Sequence, residues 1–381
     1  MLQKISKLFG CIFLLIVVLN IFTQSAKAQE EPISSDAAQV QQSNNTDEKK
    51  VEGVITKVSE QKEIEIMGKK QLYQKLEVLL TEGENKGKTI TITNGDLPMA
   101  KIQKYAIGDK VVVTINKNPD GKDNSFISDF VRRDSLYWLF FIFVVLAVVI
   151  ARGRGLASVI GMVISFFVIF KFLLPQILAG ANPVFISIMS SLIIIPVTFY
   201  LSHGINVKTT MSVLGTLITL IITGMLAFLY INISQLSGLA SEESTFLQTL
   251  IPNSLNMQGI LLAGIIIGLL GILDDITISQ AAIVYELKKT SPKLKFKDLY
   301  TKGMDIGSDH IASMVNTLIL VYAGSAMPLL LLFVNNPHPF TEVLNYEMIA
   351  EEVVKTLVAS IGLILAVPIT TFLTAFYMKD K

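Results

Sequence analysis

Two adjacent carboxylates inside an apolar run are the first residues of this chain that could do chemistry. In GILDDITISQAAIVYEL, Asp274 and Asp275 are surrounded by Ile, Leu and Ala, and the next basic residue is Lys288. A carboxylate at membrane depth is costly and persists there only when neutralised, solvated or useful. On a helix Asp274, Thr277 and Gln280 follow at i, i+3 and i+6, while Asp275 and Ser279 sit at i and i+4, so the run carries two adjoining polar stripes.

A second run, GSDHIASMVNTLILVYAG, offers a partner: Asp309, Ser313 and Asn316 form one stripe, with His310, Ser313 and Thr317 beside it. Counting inward from the intervening lysine-rich connection at about 1.5 Å per residue puts Asp275 level with Asn316 and Thr317. The stripes could therefore face each other. A cluster of carboxylate, amide, hydroxyl and imidazole suits a proton or a hard cation, which prefers oxygen ligands. It names no catalytic residue and no confident metal set. Another reading stands beside it: Met257 to Leu273 already spans about 30 Å of hydrocarbon, so Asp274 and Asp275 can mark a water boundary, and Asp309 a helix N-cap.

The elements that must position these groups follow from composition. Of the 381 residues, 51% are apolar and 17% charged, a balance that calls for a lipid solvent. The charges are dense before Asp134 and sparse in the later apolar runs. At the N-terminus Lys4 and Lys7 precede an apolar run from Leu8 to Phe22, and Ala26-Lys27-Ala28 offers small residues for cleavage. Residues 1–28 read as a signal peptide, with an uncleaved anchor helix as the alternative. The only cysteine, Cys11, lies inside this segment, so a mature chain would have no thiol chemistry. Residues 29–50 are too poor in apolar content to order themselves and read as a disordered tether.

From 51 to 133 the periodicity turns to short alternating runs, VEGVITKV, LYQKLEVLL, KTITITN, DKVVVTIN and SFISDFVR. These predict five strands and a small barrel of the OB type, with a small sandwich as the alternative. Few aromatics interrupt them, so no nucleic-acid surface is expected.

Residues 134–381 form the transmembrane region. Seven apolar segments, roughly 136–151, 156–174, 183–202, 208–230, 257–284, 311–334 and 353–378, are each able to cross about 30 Å of hydrocarbon. Alternate connections carry Arg152 and Arg154, then Lys208, then the lysines from Lys288 to Lys302, then Lys379 and Lys381; the others carry no Lys or Arg, with Glu242 and Glu243 in one and Glu342, Glu347, Glu351 and Glu352 in another. That asymmetry places the β domain outside the cell membrane and the C-terminus in the cytoplasm. The fold class expected is an α-helical polytopic membrane protein of about seven spans behind a small extracytoplasmic, OB-like all-β domain. Pro196 in the third span and Pro368 in the seventh each precede a threonine, and they are candidate hinges and a hint of a repeat. Gly264, Gly268 and Gly271, with Gly153, Gly155 and Gly161, read as packing devices.

The stretches GILDDITISQAAIVYEL and IGSDHIASMVNTLILVYAGSAMPLLLLF resemble the two best-marked segments of the YibE/F-like family of bacterial membrane proteins. The resemblance covers about residue 136 to the end and implies a membrane or transport protein without an agreed substrate. It carries no residue roles. The function expected is a permease, proton- or cation-coupled through Asp274 and Asp275. The alternatives are a non-transporting scaffold that recruits partners through its β domain and, with less support, a membrane-embedded enzyme. No phosphate loop, nucleophile elbow or metal-protease helix occurs, so no enzyme activity and no cofactor is expected. The partners expected are the lipid bilayer, an unknown solute or ion, and a related subunit or second copy, with no nucleic acid.

Overall fold

The computed structural model describes residues 48–66, 68–98, 102–117, 123–251, 255–334 and 339–379. The residues read as a signal peptide, 1–28, and nearly all of those read as a tether, 29–50, lie outside them. The chain divides into two compact units, and the division falls between Val145 and Leu146.

The first unit is an antiparallel five-stranded sheet: β1 (Glu48–Ile66), β2 (Lys69–Leu80), β3 (Thr89–Asn94), β4 (Lys110–Lys117) and β5 (Asp123–Phe130), in the order β3-β2-β1-β4-β5. The edge strands β3 and β5 approach each other. One long strand serves two partners because it bends. Register shifts between Ile55 and Lys57 and between Val58 and Glu60 are bulges that turn β1 from β4, paired over Glu48–Val54, to β2, paired over Gly53–Ile66. At the crossover Gly53 has no room for a side chain, since a Cβ there would meet Val78 Cγ1 at 2.6 Å. The alternation read in the sequence is the burial pattern: Leu76, Val78 and Leu80 on β2, and Val111, Val113 and Ile115 on β4, point into one core with Ile55 and Ile92.

Inside that core Gln74 is fully buried and pairs with the Tyr105 backbone in both directions. Its Nε2 donates to the Tyr105 carbonyl at 2.9 Å, and its Oε1 accepts the Tyr105 N–H at 2.9 Å. Gln74→Leu strands both backbone groups. We expect a loss of about 2–4 kcal/mol from the sheet, read by hydrogen exchange of the full-length protein as faster exchange at the Tyr105 amide and its neighbours.

Helix α1 (Arg133–Val168) follows the sheet. At its start Arg133 forks onto both carboxylate oxygens of Glu52 on β1. Its helical path breaks at Arg152 (φ 54, ψ −132), where the sequence places a loop between two spans. A π-helical turn (Ile169–Leu173) and α2 (Leu174–Leu178) complete this arm. Then come α3 (Pro183–His203), α4 (Val207–Ile233), the short α5 (Glu242–Leu250), α6 (Met257–Thr290), α7 (Phe296–Ser325), α8 (Met327–Val334), α9 (Phe340–Val343) and α10 (Glu347–Met378). Asn182, Asn206 and Asn256 cap α3, α4 and α6 through their side-chain oxygens.

Among the described residues five helices are long and apolar enough to cross a membrane, or up to six if the bent pair α7–α8 is one span. The longest, Arg133–Leu178, contains the break at Arg152. The segment expected as one span over 311–334 is not straight: α7 and α8 meet at 72°. Pro328, in the first turn of α8, has no amide to continue the α7 ladder. Helices α4, α6 and α10 pack mutually around Leu269, Leu273, Ile276, Leu363, Ala366 and Val367, each at most 1% exposed.

Candidate functional site

Helix α6 is continuous through both aspartates, and Ile276, Ala281 and Val284 beyond them are fully buried. Each polar residue of α6 then meets a different neighbour, because successive stripes face different helices. Thr277 faces α4: its hydroxyl lies 2.7 Å from that of Thr216, and its carbonyl accepts the Ser212 hydroxyl at 3.2 Å. This contact continues a buried hydroxyl-rich seam, with Thr219 and Thr223 on α4 and Thr370, Thr371 and Thr374 on α10. Most of these hydroxyls bond back to a carbonyl of their own helix, so they cross the interface without a desolvation penalty.

Gln280 sits where α6, α7 and α10 cross. Its Nε2 donates to the Gly303 carbonyl at 2.8 Å and to Thr371 Oγ1 at 2.7 Å. Its Oε1 is buried with no partner among the described residues. Ser279 is half-buried and Asp275 exposed.

Asp274 is half-buried and turns away from α7. It lines a cavity of about 240 Å³ with Ser158, Ser165, Thr198 and Ser202, and an adjoining one of about 190 Å³ that shares Ser165 and Thr198 and reaches Gly271. The walls come from the second half of α1, from α3 and from α6. Thr198, two residues after Pro196, donates to the Ile194 and Ile195 carbonyls at 2.9 and 3.1 Å. At the far end of α3, His203 is within electrostatic reach of Arg154, Lys208 and Asp275. The arrangement is one carboxylate among hydroxyls in a space that admits water, suited to holding and passing a proton or a small cation.

The partner stripe expected on α7 is elsewhere. Asp309, Ser313, Asn316 and Thr317 are exposed, His310 is half-buried, and the Thr317 hydroxyl bonds only to the Ser313 carbonyl of its own helix. Height along the helix had suggested the meeting; rotation about the axis prevents it. Gly303 and Gly307 set that rotation, since a Cβ on either would fall within 3.0 Å of Gln280 or of Val284, Val367 and Thr371 on the facing helices. Pro368 lies within α10, one turn before Thr371. Both prolines thus stand beside threonines that line the site or hold Gln280.

The glycines need a correction. Gly161 packs, with Thr198 at 3.7 Å, and Gly155 lies so close to the Ala147 carbonyl that a Cβ has no room, but a Cβ on Gly153, Gly264, Gly268 or Gly271 would meet nothing within 4 Å. These four face open space. Further close approaches are at Gly215 against Thr370, Gly362 against Thr223, and Gly303 and Gly307.

Sequence reasoning also missed Lys355. It lies two turns inside α10, and its Nζ contacts Glu351 at 2.6 Å and Glu352 at 3.2 Å. The i, i+3 and i+4 spacing was a usable signal. Among the described residues no group of three or more His, Cys, Asp or Glu side chains is placed to hold a metal ion.

The YibE/F-like protein family matches residues 139–380, and the YibE/F family N-terminal domain matches residues 36–130. The chain belongs to the YibE/F-like family. No curated protein and no solved structure matches it. With its apolar helices, this family membership makes the chain a membrane-embedded protein.

Proposed function

We propose that this YibE/F-like chain is a permease in which Asp274 takes up and releases a proton or a small cation as the bundle opens from one side to the other. The observation that carries the reading is Asp274 itself, a carboxylate midway along a membrane-length helix, lining two adjoining cavities with four hydroxyl side chains. A purely structural carboxylate at this depth would be expected to have a cation against it. The described residues place none in an ion pair with Asp274.

In this reading α1 crosses twice, on either side of the Arg152 break, and α7–α8 is one broken span, for seven crossings. Broken and proline-containing helices around a midplane site are a recurring transporter device. The charge asymmetry of the connections supports a cytoplasmic C-terminus and an outer sheet domain. The strand order, with β3 approaching β5, supports an OB-like barrel, for which we propose a docking or gating role.

The test couples a reporter to the carboxylate. With Cys11 replaced by serine, a single cysteine at Gly271 is labelled across pH 5.5–7.5, below the ordinary thiol pKa of about 8.5, and its rate is divided by that of a cysteine at exposed Thr301. The ratio should change several-fold with pH in the otherwise native chain and be flat in Asp274→Asn. A pH-dependent ratio that survives Asp274→Asn would remove Asp274 from the mechanism.

A further inference from the structure

Helix α7 has two faces. Met304, Ile311, Met314 and Leu318 turn inward onto the core that α6 and α10 share. The opposite face is exposed and is not apolar: Asp309, Ser313 and Asn316 lie on it between Ile306, 44% exposed, and Leu320, 62% exposed. These five succeed one another at spacings of 3, 4, 3 and 4 residues on an unbroken helix, which is the spacing of a seam between two helices. Depth makes that face costly. At about 1.5 Å per residue Asn316 stands about 21 Å along the helix from Lys302 and about 15 Å from the bend at Ala326. Helix α7 runs antiparallel to α10, with Gly303 against Thr371 and Gly307 against Val367, and that register brings Asn316 level with buried Val358, within the apolar length of α10. Thr317 beside it is satisfied by the Ser313 carbonyl at 3.0 Å. The Asn316 amide has no hydrogen-bond partner among the described residues. Hydrocarbon offers neither a donor nor an acceptor, and an asparagine at this depth is ordinarily met by a polar group of another helix.

From this face we infer that the chain pairs with a second copy of itself through α7, the two helices lying side by side about a two-fold axis along the membrane normal. Self-complementarity selects a second copy. The two-fold sets Asn316 opposite Asn316, and because an amide carries two donors and an acceptor, each satisfies the other. Every copy inserts in the same direction, so the pair is parallel, the arrangement in which a single seam asparagine fixes register and the number of strands. Ser313, one turn away, is small enough for close approach, and Ile306 and Leu320 pack the seam at either end. Asp309 lies about 10 Å nearer the lysine-rich connection, where the seam reaches water and its charge is screened. The face lies opposite the one that meets Gln280 and asks nothing of Asp274, so the pairing is independent of the permease reading.

The experiment uses the purified full chain, with Cys11 replaced by serine, in liposomes at a high ratio of lipid to protein. Single cysteines at Leu320 and at Val321 are oxidised and compared. Both side chains are equally exposed, but they point about 100° apart around the helix. The Leu320 cysteine should form a linked species of twice the chain's mass at least tenfold more readily than the Val321 cysteine. Energy transfer between labelled copies then gives the dissociation constant. Asn316→Leu should raise it at least tenfold and Asn316→Gln far less, with the helical circular dichroism of both unchanged, since the amide bonds nothing in its own chain. Equal cross-linking at the two positions, or undiminished pairing in Asn316→Leu, would overturn the inference. So would a purified chain that stays single while the Leu320 cysteine, in native membranes, links to a different protein; the face would then belong to a related subunit.

Discussion

Gly307→Val should be among the most damaging single substitutions in the helical unit, costing about 3 kcal/mol or more. A Cβ at this position would lie 2.6 Å from Val367 Cγ1 and 2.9 Å from Gln280 Nε2. Valine adds two more methyl groups to a gap that cannot hold the first. Helix α7 must then move off α10 and α6, and the Gln280 amide, which ties Gly303 to Thr371, loses at least one bond. A buried amide left unpaired adds about 1–3 kcal/mol. The control is Gly264→Ala, where nothing lies within 4 Å, and an effect within about 0.5 kcal/mol is expected. Heating both variants in detergent and following the folded fraction by size exclusion distinguishes them. Equal tolerance of the two would mean that the α7 crossing is not held by these glycines.

Lys355→Met is expected to cost about 3 kcal/mol by a different route. It removes no packing volume to speak of, but leaves Glu351 and Glu352, neighbours in sequence on α10, without their shared cation. Glu351, only 12% exposed, loses its compensation, and the neighbouring Glu352 carboxylate adds repulsion. Glu351→Gln with Glu352→Gln should restore most of the stability of Lys355→Met, since amides need no counter-charge. If that triple variant is as unstable as the single one, the lysine acts through its packing and not its charge.

The strands were legible because the sheet buries one face, so that Leu76, Val78 and Leu80 alternate with polar residues, and the bulges in β1 do not disturb that period. The apolar segments were legible from length, and the Arg152 break from Arg152-Gly153-Arg154. Two things were not. The 72° bend lies within an unbroken apolar run, where hydropathy is blind and only Gly324, Ser325 and Pro328 marked it. The partners of the α6 polar residues depend on helix rotation, which depth counting does not contain. Gly303 and Gly307 decide that rotation, and they read in the sequence as ordinary small residues. Asp274 was found by its cost in an apolar run, and the same rule applied to Lys355 would have found the second charged site.

The claim that Asp274 lies on an alternating water path is tested most directly at Ser165, which lines both of its cavities. A single cysteine there, with Cys11 replaced by serine, is exposed to a membrane-impermeant thiol reagent from one face of sealed, oriented vesicles and then from the other. The account predicts reaction from both faces, with the balance between them altered by Asp274→Asn. Reaction from one face alone, unchanged by Asp274→Asn, would contradict it and leave Asp274 at the end of a closed vestibule.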